Sequence, residues 1–168
     1  MLPAVLFLLV FIPMIAEARR STANDRRLRA AGAIEPAGDV YQVMQLAYPL
    51  CFLLPIAEAW WRGRGFGAVF SAGLAVFVAA KALKYWAIGT LGERWTFRVL
   101  VPPGSQRIAS GPYRLMRHPN YVAVAGELLG VAVMAQAPAT GFIAFLVFVS
   151  LMLRRIRVEE AALALRSD

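Results

Sequence analysis

Three groups of residues in this chain have the types and spacing to do chemistry. The first is Arg117-His118-Pro119-Asn120-Tyr121, with Tyr113 just upstream. Proline in a first helical turn marks a helix start, and a helix N-terminus offers backbone N–H groups and a partial positive charge. His118 and Tyr121 are three apart and share a face. A lone histidine there reads as an interfacial side chain; beside Tyr113, Arg117 and Tyr121 it reads as part of a site. The second group is Arg154-Arg155-Ile156-Arg157-Val158-Glu159-Glu160. Arg155 and Glu159, four apart, can face one another, and taken alone they make a self-neutralising helix end. The third is Glu127, seven residues into an apolar run. An acid inside a membrane is costly and functional by default; the plainer alternative is a structural bond to a neighbouring span. Glu58 reads instead as an acid near a span end, reaching water or Arg62 one turn on. No metal site is expected. The one cysteine, Cys51, permits no internal disulfide or multi-cysteine cluster, and the one histidine permits no histidine cluster.

The elements that must position these groups are membrane spans. Of 168 residues, 60% are hydrophobic, against about 45–50% in soluble domains. At about 20 residues per span, that content fills five. Apolar runs cover roughly 1–16, 40–61, 66–91, 120–136 and 139–153. The first, fourth and fifth are short, at about 1.5 Å per residue, and need flanking residues or local thinning. The chain is read as one all-α membrane domain without repeats. The first run lacks a basic leader region and is followed by five arginines, so it reads as a span rather than a cleaved signal. Pro49 and Pro55 predict a kink in span two. Gly126 and Gly130 predict a close helix contact on span four. Trp60, Trp61, Tyr85, Trp86 and Trp95 read as interfacial anchors.

The formal charge is +8. In a soluble protein that would suggest nucleic acid; here it reports orientation, and no nucleic-acid partner is expected. Arginines 19, 20, 26, 27 and 29, arginines 94, 98, 107, 114 and 117, and arginines 154, 155, 157 and 166 all fall on one side of a five-span topology. Only Arg62 and Arg64 fall on the other, and Lys81 and Lys84 are placed at the arginine-rich end of span three. Basic residues stay inside, so the N-terminus is expected outside and the C-terminus in the cytoplasm, with a bacterial inner membrane as the location. The segment from Gly92 to Pro119 exceeds the ~12–15 residues of ordinary loops. It interleaves aromatics and aliphatics among arginines. Its plainest reading is a basic segment lying on lipid headgroups. It shares a face with residues 154–165, however, so two polar clusters far apart in sequence meet at one interface.

Gly111-Pro112-Tyr113, then Arg117-His118-Pro119-Asn120-Tyr121, then Arg155-Ile156-Arg157-Val158-Glu159-Glu160 resemble the paired motifs of the isoprenylcysteine carboxyl methyltransferase family. These are integral-membrane enzymes that use S-adenosylmethionine and release S-adenosylhomocysteine. The resemblance covers roughly Leu91 to Leu165. It implies cofactor contacts at Ser105, Gln106, Arg107, Ile108, Tyr113, Arg117, His118, Pro119, Asn120, Tyr121 and Glu159, with Arg155 on the methyl-acceptor side. Ala123 stands where the eukaryotic enzymes usually have glycine, and those enzymes carry more N-terminal spans. Leu91-Gly92-Glu93-Arg94-Trp95-Thr96 and the closing Arg-Ile-Arg-Val-Glu-Glu are closer to the short bacterial members, some of which act on lipidic phenols or pyrones.

The physics suits these roles. Helix N–H groups and arginines can hold the cofactor's carboxylate, and Glu159 can accept from its hydroxyls or amine. Methyl transfer draws on positioning and electrostatics. A carboxylate acceptor needs only a cation such as Arg155. A phenol needs a base, for which Glu160, His118 and Glu127 are candidates. The expected function is O-methylation of a lipophilic acceptor entering from the bilayer. A proton-coupled transporter built on Glu127 and an NADPH-dependent membrane reductase are the competing readings. The acceptor's identity and the oligomeric state are left open.

Overall fold

The structure, a computed structural model, describes residues 1–104 and 108–164, with side chains of the last helix described through residue 161. Five helices form an up-and-down bundle: α1 (Leu2–Ala30), α2 (Tyr41–Trp61), α3 (Ala68–Leu91), α4 (Pro119–Met134) and α5 (Pro138–Ala164). The described residues contain no β-strand, only an isolated antiparallel bridge between Ile34 and Val101. The protein is an all-α membrane protein. Four helices are long and apolar enough to cross a bilayer, and α4 is shorter.

Burial is inverted relative to a water-soluble bundle. Leu46 and Phe142 are 70% and 64% exposed, whereas Lys84 and Glu127 are each 1% exposed. Large apolar side chains face outward where lipid would be, and the charges point into the protein. Leu6, Phe52, Phe77, Leu128, Val131 and Phe148 belong to one apolar core between the helices.

Two helices run past their apolar stretches. α1 continues from residue 16 to Ala30, and α5 from 153 to Ala164. Neither extension contains glycine or proline, so nothing in the backbone stops the helix. α1 ends just before Gly32, at φ +80°, a conformation glycine adopts without strain. At 1.5 Å per residue, α1 is about 43 Å long, more than the ~30 Å of hydrocarbon. The arginine-rich stretch after the first apolar run is therefore a helix that projects beyond the span. Its buried positions, Ser21, Asn24 and Leu28, recur at helical spacing and brace the 92–101 segment. The Ser21 hydroxyl accepts from the Phe97 N–H at 2.7 Å, and the Asn24 amide donates to the carbonyls of Gly92 (3.2 Å) and Trp95 (2.8 Å). Asp25 pairs with Arg98 at 3.2 Å, and the Arg98 guanidinium lies 4.2 Å from the Tyr41 ring centre.

Other expectations resolve locally. α2 remains helical through Pro49 and Pro55. Gly126 and Gly130 face α3: a Cβ on Gly130 would lie 2.8 Å from the Phe77 nitrogen, and one on Gly73 would lie 2.5 Å from that of Met134. The small-residue stripe thus lets α4 lie against α3 within one chain. Glu58 does bond Arg62 (2.7 Å), and it also accepts from the Thr140 N–H (3.0 Å) and hydroxyl (2.6 Å). It thereby satisfies an orphan donor in the first turn of α5. Trp60, Trp61, Tyr85 and Trp86 are exposed on the bundle exterior, but Trp95 is 2% exposed. The reason is that the loop carrying Trp95 folds back over the bundle. Its ring packs edge-on to Phe97, and its Nε1 lies 3.4 Å from Asn120 Oδ1.

Candidate functional site

The arginine-rich end of the bundle holds two cavities. The first, about 170 Å³, lies under the 91–102 segment and opens onto the start of α4 and the end of α5. Trp95, Arg98, Tyr113, Arg117, His118 and Glu159 are among its walls. The second, about 320 Å³, reaches deeper among the helices and is lined by Met14, Met44, Tyr48, Lys84, Val124 and Phe148, among others. Thr96, Asn120, Tyr121 and Arg155 belong to both. A cavity edged by charged and aromatic side chains and a more apolar one therefore meet at a shared wall.

Local sequence dictates that wall. Pro119 starts α4, and His118, its N-cap residue, makes no side-chain cap bond, so the imidazole is available elsewhere. Its Nε2 lies 3.2 Å from Glu160 Oε1, and its Nδ1 lies 4.0 Å from Glu159. One turn on, the Tyr121 ring packs 5.6 Å from the imidazole. The Tyr121 hydroxyl accepts from Arg155 Nε and donates to Glu159 Oε2, each at 2.9 Å. Arg155 and Glu159 are thus joined through a tyrosine rather than directly. Arg155 is buried, and its Nη1 lies 3.8 Å from Asp39 Oδ1, while Asp39 Oδ2 accepts from the Val99 N–H at 3.1 Å. Asp39 ties the loop to the arginine.

Electrostatics at the rim follow from these partners. The His118 hydrogen bond, with help from Arg117 3.4 Å away, holds the exposed Glu160 carboxyl below the usual carboxylate range. Burial, reinforced by the negative charge of Glu159, pushes the Tyr113 phenol well above its ordinary value. Tyr113 is a neutral donor at working pH.

Of the residues singled out from the sequence, Ile108, Tyr113, Arg117, His118, Asn120, Tyr121, Arg155 and Glu159 line the first cavity. Pro119 is buried at the helix start without lining it. Ser105, Gln106 and Arg107 lie outside the described residues. Glu160 stands at the rim and lines neither cavity. Glu127 also lines neither, and lies behind the second cavity's wall. Lys84 approaches it at 3.4 Å and Lys81 at 3.2 Å, and both lysines also pair with Glu17, at 2.6 and 2.8 Å. The lysines therefore do not reach toward the arginine-rich surface; buried carboxylates hold them in the bundle.

Sequence reasoning missed Asp39, Tyr48, Trp95, Thr96 and Arg98. Asp39 sits in a short linker with no motif. Tyr48 reads as one more apolar position of a span. The aromatic and basic residues from Arg94 to Arg98 gave the only available signal, a loop too hydrophobic to be a plain linker.

A model of the isoprenylcysteine carboxyl methyltransferase (ICMT) family matches residues 73–165, more than half of the chain. The uncharacterized protein YpbQ of Bacillus subtilis is 32% identical over 94% of this chain and 94% of its own length. An uncharacterized protein of Haemophilus influenzae is 28% identical over 86% of this chain and 84% of its own. No solved structure matches.

Proposed function

This chain belongs to the isoprenylcysteine carboxyl methyltransferase family, and on that premise we propose that it transfers a methyl group from S-adenosylmethionine to an oxygen of a lipophilic acceptor. The observation that carries this reading is the wall shared by the two cavities. A reaction between a polar, water-borne donor and a membrane-borne acceptor needs two compartments that touch at the reacting atoms.

The donor set of the first cavity fits the cofactor's chemistry. Arg94 and Arg117 suit its carboxylate, Glu159 its amine or ribose hydroxyls, and Trp95 and Tyr113 a planar base. When bound, S-adenosylmethionine supplies an electrophilic methyl group on a sulfonium. The protein's own residues do the rest. Arg155, oriented by Tyr121 and neutralised in part by Asp39, presents a cation to the acceptor's oxygen. The 92–98 segment, braced by α1, closes the first cavity from outside, and the second cavity's apolar walls keep water from the shared wall.

Two acceptor types fit this arrangement, a prenylcysteine-like carboxylate and a lipidic phenol or pyrone. A carboxylate would rely on Arg155 alone; a phenol would also need a proton acceptor, and Glu159 and Asp39 are the carboxylates nearest Arg155. The arginine-rich end, with both cavities, faces the cytoplasm in this reading, in the inner membrane of a bacterium. Glu127 is held by two lysines, which argues against its service as the free acid of a proton-coupled transporter.

The test is calorimetric titration of the purified protein with S-adenosylhomocysteine, paired with mass spectrometry of membrane lipids incubated with S-adenosylmethionine. Binding and a lipid one methylene heavier are expected. No binding at millimolar ligand would refute the reading. NADPH competing for the same site would favour a reductase.

A further inference from the structure

The second cavity is walled mainly by apolar side chains, yet two polar groups stand in its deep wall, Tyr48 and Lys84. Hydrocarbon needs neither. Lys84 is already committed within the protein: its ammonium donates to the Tyr48 oxygen at 3.0 Å and to Glu127 at 3.4 Å, and it forms an ion pair with Glu17 at 2.6 Å. Two carboxylates thus hold its charge inside the bundle.

Tyr48 is different. Its oxygen accepts from Lys84, so its own proton must point elsewhere. The partner in reach, Glu127 Oε2, is 3.5 Å away, at the far limit of hydrogen bonding, and that oxygen already takes a bond from Lys84. The ring cannot swing to improve this contact. Phe52 packs edge-on against it at 5.2 Å, Phe148 lies at 5.9 Å, and the Lys84 ammonium lies 5.5 Å from its centre. The deep wall thus holds a fixed hydroxyl donor, polarised by an ammonium and poorly satisfied within the protein.

We propose that Tyr48 is a specificity-determining residue whose hydroxyl donates to a second oxygen of the acceptor, so that the acceptor is a lipophile with a carbonyl set in from the methylated end. The inference rests on the methyltransferase reading for what happens at Arg155, and deepens it by naming the acceptor's class. The spacing follows from α4. Tyr121 meets Arg155 at the shared wall, and Glu127, six residues on, marks the level of Tyr48, about 9 Å deeper at 1.5 Å per residue. A plain hydrocarbon chain would leave the Tyr48 donor without a partner, a cost that discriminates against it.

The test uses two pairs of lipid probes, an alkylphenol and a fatty acid, each with and without a chain ketone about 9 Å from the head oxygen. Binding to the full chain in detergent micelles is measured by calorimetry, beside a titration with S-adenosylhomocysteine. The ketone member of at least one pair should bind the wild type about tenfold more tightly, as one recovered hydrogen bond implies. In Tyr48→Phe that preference should vanish. Equal binding of both members of both pairs by the wild type would overturn the proposal even if the variant did not fold. A preference that survives in Tyr48→Phe would overturn it too. Failure of S-adenosylhomocysteine to bind would strike the methyltransferase reading alone, because the ketone preference is read without turnover.

Discussion

Glu17, Lys81, Lys84 and Glu127 form a closed set of two positive and two negative charges inside the bundle. Their contacts are 2.8 Å (Lys81–Glu17), 3.2 Å (Lys81–Glu127), 2.6 Å (Lys84–Glu17) and 3.4 Å (Lys84–Glu127). Lys84→Met keeps the side-chain length but leaves two carboxylates sharing one ammonium. At 3.4 Å and an effective dielectric of about 20, one pair attracts by about 5 kcal/mol before desolvation. Removing one partner of a buried pair costs about 3–5 kcal/mol, a large part of the ~5–15 kcal/mol that holds a protein folded. Glu127→Leu should cost a similar amount, since it leaves two lysines on Glu17. The double variant is the informative one. Lys84→Met with Glu127→Leu leaves the Lys81–Glu17 pair, at 2.8 Å, and no net charge. Its loss should be no larger than that of either single variant, a coupling of at least ~3 kcal/mol. Unfolding by sodium dodecyl sulfate in mixed micelles, followed by tryptophan fluorescence, measures all three. A double variant that loses the sum, about 6–10 kcal/mol, would refute the idea that the four charges act as a unit.

The remaining predictions concern the rim and its supports. Glu159→Ala and His118→Ala should each weaken S-adenosylhomocysteine binding about tenfold or more, the scale of a bond to a charged group, whereas Arg155→Ala should harm acceptor use more than cofactor binding; equal loss of both would contradict that division. Asn24→Ala removes the donor shared by the Gly92 and Trp95 carbonyls, so it should cost about 1–3 kcal/mol and speed proteolysis within residues 92–104. Gly130→Ala drives a Cβ to 2.8 Å from the Phe77 nitrogen and should destabilise by about 1–3 kcal/mol, while Gly65→Ala, with open space around it, should not. Burial alone would raise the Glu35 carboxyl, but hydrogen bonds from Arg29 and Arg98 outweigh it and hold the group below the usual range. A carboxyl lowered in the folded state stabilises above its unfolded value, about pH 4.3, and loses that contribution as pH falls through the lowered value. The protection of the Val99–Val101 amides, corrected for the intrinsic pH dependence of exchange, should therefore fall in acid; protection that falls as pH rises instead would contradict the assignment.

The rim was legible because its residues are close in sequence and follow helical rules. His118 and Tyr121 share a face by spacing, and Arg155 and Glu159 are one turn apart on α5. What spacing could not show is that Tyr121 enters between the latter two, since that depends on how α4 meets α5. The buried charges were harder. Glu127 stood out as an acid in an apolar run, but its partners Lys81 and Lys84 looked like ordinary residues of a span end, because hydropathy grades a position without saying which neighbour it faces. The length of α1 is hidden for a related reason: hydropathy falls after residue 16, although nothing in residues 17–30 breaks a helix.

The division of labour between the two halves of the chain explains why the family match says more about one cavity than the other. The lining of the first cavity comes from residues 91–159, inside the matched region 73–165. The second draws Met14, Ala18, Thr22, Tyr41, Met44, Gln45, Tyr48 and Pro49 from α1 and α2, all outside that region. If the first cavity holds the cofactor, its chemistry travels with the family. The acceptor's shape is then set in part by helices that the family model does not reach, although Lys84, Thr96, Phe97, Asn120, Tyr121, Val124, Phe148 and Arg155 of the same wall lie inside it. Tyr48 is the one among the eight from α1 and α2 whose oxygen accepts from a buried lysine while its proton is poorly bonded within the protein, so the proposed acceptor choice is better tested on α2 than in the rim motifs.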